Sequence, residues 1–366
     1  MTRESLVHLI ALSRIPQVGP ILTRQLISYC GGVEAVFEAS ASALAKIPQI
    51  GPVTAKIIIE EKNVAAAERI VSQYEKQHVT FTAYLDENYP KRLLEIHDAP
   101  VVLFSRGVFN YNASRTVAMV GTRSITEYGK IMADRLVEEL KPYGVQIISG
   151  LAYGVDAACH RASVKHGIET IAVLGSGVDN IYPSSHRDLA EKMCAHGGVI
   201  SEFNPGDGPD REHFPMRNRV IAGMSDALVV VESKYKGGSM ISADFAFSFS
   251  RDVFAVPGRV DDPMSAGPNK LIRTGKAQLV HTGSDIARAM IWEKDGSITG
   301  KQSTLLLDFS PEEQLLVTAL RKKTKASLDE LHYASQLSTS EIASIMLQLE
   351  FKNVVKSLPG NRFVLL

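Results

Sequence analysis

The chain has 366 residues, with 40 Lys+Arg against 40 Asp+Glu, 45% hydrophobic and 22% charged residues. That length allows two or three domains with sizeable cores, and the composition excludes disorder, collagen or coiled coil for the whole chain. A net charge of zero also excludes a bulk basic protein that coats nucleic acid indiscriminately. The three cysteines (Cys30, Cys159, Cys194) are odd in number and share no ligand spacing, which fits a reducing compartment without disulfides. Glu4, His8 and Arg14 interrupt the N-terminal apolar residues, and no apolar run approaches 18 residues. The expectation is a cytoplasmic protein with no membrane contact.

The first 75 residues carry an internal repeat. Ile15-Pro16-Gln17-Val18-Gly19-Pro20 returns 32 positions later as Ile47-Pro48-Gln49-Ile50-Gly51-Pro52, each copy followed by a helical stretch, 21–29 and 53–61. Glycine permits the tight turn, and proline sits in the first helical turn, where its missing N–H costs nothing. The free N–H groups at such a helix start can hold a phosphate. The pattern resembles the helix-hairpin-helix motif of DNA-binding proteins; a small helical bundle without DNA contact is the plain alternative, since neither glycine has a strong basic cluster beside it.

Residues 76–292 read as strand and helix in alternation. Short β-rich runs at 116–120, 145–148, 170–174, 199–200, 227–231 and 253–256 enclose helical segments at 128–140, 156–166, 187–196, 218–224 and 241–249. Continuous apolar strands between helices predict a doubly wound parallel sheet, an extended Rossmann-like α/β fold. Ligands of that class bind beyond the carboxyl ends of the strands, so the residues that follow each strand matter most. They include Gly121 and Arg123, Ser149 and Gly150, Gly175 and Gly177, the run Arg217-Asn218-Arg219, and Lys236 with Gly238 and Ser239. Glycines at successive strand ends let backbone N–H groups approach an anion, and the arginines and lysine add charge. The whole reads as a phosphate-binding trough. Gly175-Ser176-Gly177 has no third glycine to complete a dinucleotide fingerprint, and neither zinc spacing nor a serine-hydrolase elbow is present, so no cofactor, metal or catalytic residue is expected. His160 reads as a buried helix histidine, and Glu202 and Glu232 as orienters of neighbouring groups.

Residues 293–309 form a linker, and 310–366 predict three helices (311–320, 328–335, 339–350) and a hairpin closing through Pro359-Gly360-Asn361: a winged helix. The third helix carries no Arg or Lys, which argues against base reading in a major groove.

The runs VAMVGTRSITEYG, ISGLAYGVDAACH, TIAVLGSGVDNIYP, FPMRNRVIAGMS and RDVFAVPGRV occur in the order seen in the DNA-processing protein A family (DprA, also Smf), which this chain resembles over about residues 80–366. The resemblance implies a single-stranded DNA-binding protein of natural transformation. It would act as a homodimer, protecting incoming strands and loading the recombinase RecA, with no known catalysed reaction. It also implies a central role for the arginine of G-x-R, here Arg123, and places Arg217, Asn218 and Arg219 on the R-N-R motif. Tyr182, Arg187 and Lys236 join the candidate site by position and chemistry, with Tyr182, Phe214 or Tyr235 available to stack on bases. Gly237-Gly238-Ser239-Met240-Ile241-Ser242-Ala243 departs mildly from the family's S-G-S-L-I-T-A. Two rival readings are a phosphoribohydrolase-like nucleotide-processing enzyme, whose P-G-G-x-G-T motif is broken at Met240 and Ile241, and a winged-helix transcription regulator.

Overall fold

The computed structural model describes residues 1–295, 309–322, 326–351, 354–358 and 362–365. Its contacts divide the chain into Met1–Asp295 and Gly296–Leu366. Most of the expected linker and the turn at Pro359-Gly360-Asn361 lie outside the described residues.

The chain opens with six helices: α1 (Arg3–Ser13), α2 (Pro20–Cys30), α3 (Val33–Glu38), α4 (Ala41–Leu44), α5 (Pro52–Glu61) and α6 (Val64–Lys76). Both repeats form the expected turn. Gln17 and Gln49 adopt matching positive φ, 67° and 65°, and Pro20 and Pro52 open α2 and α5. Then come β1 (Thr80–Ala83), α7 (Lys91–Leu94), β2 (Val102–Val108), β3 (Thr116–Val120), α8 (Glu127–Leu140), β4 (Gln146–Ser149) and α9 (Val155–His166). They are followed by β5 (Thr170–Val173), α10 (Arg187–Met193), β6 (Gly197–Ser201), α11 (His213–Gly223), β7 (Ala227–Val230) and α12 (Gly238–Ser248). The unit closes with β8 (Asp252–Ala255), α13 (Ala266–Arg273), β9 (Gln278–Leu279) and α14 (Gly283–Ala289).

The nine strands make one sheet, in the order β1-β2-β6-β5-β4-β3-β7-β8-β9. The segment from β6 to β9 is parallel throughout, as the buried strands predict. Side-chain alternation serves both faces. Val117 and Met119 pack with Met132 and Leu136 of α8 and with Cys159 of α9, whereas Ala118 and Val120 pack with Val220 and Ile221 of α11 and Ala243 of α12. Two antiparallel strands, β1 and β2, extend the sheet beyond β6, a departure from the all-parallel expectation. The N-terminal helices share a hydrophobic cluster with this edge: Tyr74 of α6 is fully buried, with its ring 5.2 Å from Phe104, and its hydroxyl donates to Asp179 Oδ1 at 3.0 Å.

The second unit is a winged helix: α15 (Pro311–Lys322), β10 (Ala326–Ser327), α16 (Leu328–Ser335), α17 (Thr339–Phe351), β11 (Val355–Leu358) and β12 (Arg362–Leu365), with sheet order β10-β12-β11. Ser327 caps α16 in a reciprocal box with Glu330. Ile342, Met346 and Leu349 bury one stripe of α17, while Leu347 and Phe351 stay exposed on another. No described helix is long and apolar enough to cross a membrane.

Candidate nucleic-acid interface

Strand order fixes where the site forms. From β3 the chain crosses to β4 on one side, and from β7 it crosses to β8 on the other, yet β3 and β7 are neighbours. Helices leaving in opposite directions open a crevice beyond these two strand ends. There lies an open cavity of about 260 Å³.

Its first wall is the loop after β3. Thr122 N–H donates to the Glu232 carbonyl at the end of β7 (2.8 Å), and the Thr122 carbonyl accepts from Val155 N–H at the start of α9 (3.1 Å). Gly121 is required at this junction: a Cβ there would lie 2.3 Å from Val155 Cγ2 and 2.8 Å from the Glu232 carbonyl oxygen. The buried Glu232 carboxylate accepts from the Thr126 N–H (2.9 Å) and hydroxyl, anchoring the far end of the loop at the α8 cap. Between these anchors Arg123 projects outward, exposed, with its guanidinium 5.0 Å over the Phe214 ring. It makes no ion pair among the described residues.

Beneath the loop, α11 drives Arg217 into the sheet ends. Its Nη1 donates to the carbonyls of Gly150 and Val173 (2.8 Å to the latter), tying the ends of β4 and β5 together, and its buried Nε has no partner among the described residues. A Cβ on Gly150 would sit 1.6 Å from that Nη1, so only glycine admits the guanidinium. Burial lowers the Arg217 pKa, with Asp156 opposing, and raises that of Asp156, with Arg217 opposing. His160 completes this layer. Its Nδ1 is 2.8 Å from the Thr170 hydroxyl, and burial, then Arg217, drive its pKa down to about 3, so it is neutral.

The third wall is the start of α12. Gly237 at its N-cap makes no side-chain capping bond, and Ser239 donates to the Ser233 hydroxyl at 2.9 Å. Exposed Lys234 and Lys236 flank it. Uncapped N–H groups, the positive helix end and two ammonium groups make this wall receptive to a phosphate. A smaller recess adjoins the cavity, lined by Tyr153, Tyr182, Pro183 and Phe214. The Tyr182 and Phe214 rings lie 6.2 Å apart.

Of the residues singled out from sequence, Gly121, Arg123, Arg217, Asn218, Lys236, Gly238 and Ser239 line the main cavity, and Gly150, Gly175 and Tyr182 line the recess. Ser149 lines neither: it is fully buried, donating to the Met119 carbonyl at 2.6 Å. Gly177 lies away from both, where a Cβ would be 2.5 Å from the Asn204 carbonyl. Arg187 is exposed at the start of α10 and lines neither. Arg219 is turned away from the cavity, because residues two apart on a helix do not share a face. It is buried, 2.5 Å from Glu202 Oε2 and 3.4 Å from Asp98. Sequence reasoning missed Thr122, Tyr153 and Lys234, all in loops that directly follow strands; extending the strand-end rule to whole loops finds them. Asp134, Glu138 and His166 bring ligand atoms within 4.8 Å of one another, but none lines the cavity and Asp134 is already bonded to Lys165 and His166.

Fold and site together define a Rossmann-like protein with an anion-receptive rim, a helix-hairpin-helix segment before it and a winged helix after it. The model of the family described as DNA recombination-mediator protein A matches residues 80–291, that of the DprA winged helix domain 302–361, and that of a SAM-like helix-hairpin-helix tandem 9–62. Protein Smf of Synechocystis is 30% identical over 99% of both chains. DNA processing protein DprA of Bacillus subtilis is 40% identical over 60% of this chain and 73% of its own. The solved structure of DprA from Streptococcus pneumoniae is similar with a TM-score of 0.68 at 30% identity, covering 80% of this chain and 99% of that one. A structure of the Helicobacter pylori protein, concerned with its single-stranded DNA binding mode, gives 0.53 at 28%, covering 58% and 97%. The chain belongs to the DNA recombination-mediator protein A family.

Proposed function

We propose that this protein binds single-stranded DNA along the cavity rim, in the cytoplasm and without catalysing a reaction. It protects incoming strands during natural transformation and, as a homodimer, loads RecA onto them. In this division of labour residues 76–292 hold the strand, 1–75 support that body, 293–309 link and 310–366 form an accessory module. One observation carries the reading: the uncommitted Arg123 guanidinium over Phe214, at the mouth of a glycine-walled cavity. Single strands bind through cations that track the backbone and aromatic faces that take bases, without sequence readout. The rim supplies Arg123, Lys234 and Lys236 for the first, and Tyr153, Tyr182 and Phe214 for the second. The single-strand binding mode of the Helicobacter relative supports it. RecA loading and dimerisation rest on the family likeness; acceleration of RecA assembly on coated strands and the sedimentation mass test them.

The direct experiment is fluorescence anisotropy with labelled oligo-dT. Arg123→Ala is expected to weaken binding at least about tenfold, near 1.4 kcal/mol, with an unchanged thermal melt. Equal affinity in the variant contradicts the assignment.

A further inference from the structure

Two rings of the aromatic recess ride on two loops that meet behind them. Tyr182 lies in the loop between β5 and α10, and Phe214 sits where the loop after β6 enters α11. The Gly177 N–H donates to the Asp207 carbonyl (3.1 Å), and the Gly206 N–H donates to Asp179 Oδ2 (3.2 Å). The Ser201 hydroxyl at the end of β6 donates to the Ser176 carbonyl (2.6 Å). His213, the neighbour of Phe214, places its Nδ1 3.2 Å from the Gly175 carbonyl oxygen. The two loops are therefore clasped to each other through Gly175–Asp179.

The clasp is closed from the N-terminal helices. Tyr74 of α6 is fully buried, with its ring edge-on to Phe104, and its hydroxyl donates to the other oxygen of Asp179, Oδ1, at 3.0 Å. A buried hydroxyl needs such a partner, so the bond fixes the acid as firmly as the packing fixes the ring. Val178 and Ile181, on either side of Asp179, are buried in the same hydrophobic cluster as Tyr74. Ile181 thus anchors the loop on the helical side, while Tyr182, the next residue, stands 44% exposed at the recess. Gly177, which lines neither cavity nor recess, finds its reason here. A Cβ on it would lie 2.5 Å from Asp179 Oδ1 and 3.1 Å from the Tyr74 hydroxyl oxygen. One exposed carboxylate joins three segments: α6, the Tyr182 loop and the Phe214 loop.

We propose that Tyr74 is a positioning residue for single-strand binding: through Asp179 it holds Tyr182 and Phe214 at their 6.2 Å spacing, so the N-terminal helices serve base stacking. The inference rests on the single-strand reading of the rim. A loop ordered before the base arrives does not have to be ordered by binding, which leaves more of the stacking energy as affinity. The cations Arg123, Lys234 and Lys236 stand on other loops, after β3 and β7. The Tyr74–Asp179 bond therefore acts on the grip on bases and not on the grip on phosphates.

Tyr74→Phe removes the hydroxyl and keeps the ring against Phe104. Fluorescence anisotropy compares oligo-dT with an abasic strand of the same length, about 20 nucleotides, longer than a single-strand site. The abasic strand keeps the phosphates and lacks the bases. Tyr74→Phe is expected to weaken oligo-dT about fivefold, to leave the abasic strand within about twofold, and to keep the salt dependence of the wild type. Asp179→Ala, at an exposed position, should show the same split, and the double variant should bind oligo-dT no more weakly than Asp179→Ala alone. A merely loosened fold lowers the binding-competent fraction and weakens both strands alike. Unchanged oligo-dT affinity in Tyr74→Phe, equal losses on the two strands, or additive losses in the double variant overturns the inference. The rim reading fails separately, by an Arg123→Ala protein that keeps its grip on both strands.

Discussion

Arg123 and Arg219 both stand near the carboxyl ends of parallel strands, but their surroundings divide their work. Arg123 is exposed above Phe214 and free of carboxylates among the described residues. Arg219 lies a layer lower, buried against Glu202 and Asp98, and Arg217, two residues earlier on α11, donates to two strand-end carbonyls. The lower layer spends its positive charge on holding strands and α11 in place; the rim keeps its charge for a ligand. An arginine is available to a phosphate only where the protein has not already neutralised it, whatever motif it belongs to.

The contrast breaks most readily in the lower layer. Arg219→Ala leaves Glu202 buried without its cation, and a loss of about 3 kcal/mol is expected in urea melts, with single-strand affinity of the folded protein unchanged. A stable Arg219→Ala protein with weakened DNA binding erases the distinction. His160 gives the next effect. Its pKa of about 3 in the fold lies below the 6.5 of the unfolded chain, so the unfolded chain takes up the proton first as pH falls. Stability present at neutral pH is therefore lost from about pH 6.5 downward, by about 2 kcal/mol between pH 7 and pH 5. His160→Gln should remove that increment; an identical pH slope in variant and wild type shows that the ring is not held neutral. At the rim, Lys236→Ala should weaken oligo-dT binding by about threefold and flatten the salt dependence, with no change in melting. The smallest effect belongs to the winged helix. Leu347→Glu on the exposed stripe of α17 should move single-strand affinity by less than about twofold, since that helix has no Lys or Arg to lose. A larger drop would bring α17 into the strand's path.

Much of this architecture is legible in the residues, for physical reasons. Strands β3, β4, β5 and β7 are buried on both faces and so read as apolar runs. The edge elements are not. β2 ends in Arg106, Gly107 and Val108, which stay paired with β6 but lose burial past the end of β1, and β9 is two exposed residues held by its neighbour β8. In the site, loop glycines and Arg123 follow from strand ends, but Ser149, Gly177, Arg187 and Arg219 share the same sequence cues and point elsewhere. Helical periodicity separates Arg217 from Arg219. No local pattern announces that Ser149 bonds to the Met119 carbonyl across the sheet. The zero net charge behaves likewise: residues 111–290 contain 20 basic and 20 acidic side chains, and only folding sorts the paired cations from the free ones.

Photo-cross-linking of oligo-dT to the full chain, with the linked peptides read by mass spectrometry, decides which surface holds the strand. Adducts at Tyr153, Tyr182 and Phe214, reduced in Arg123→Ala, are the expected result. Adducts concentrated in Thr339–Phe351 and indifferent to Arg123 would contradict it.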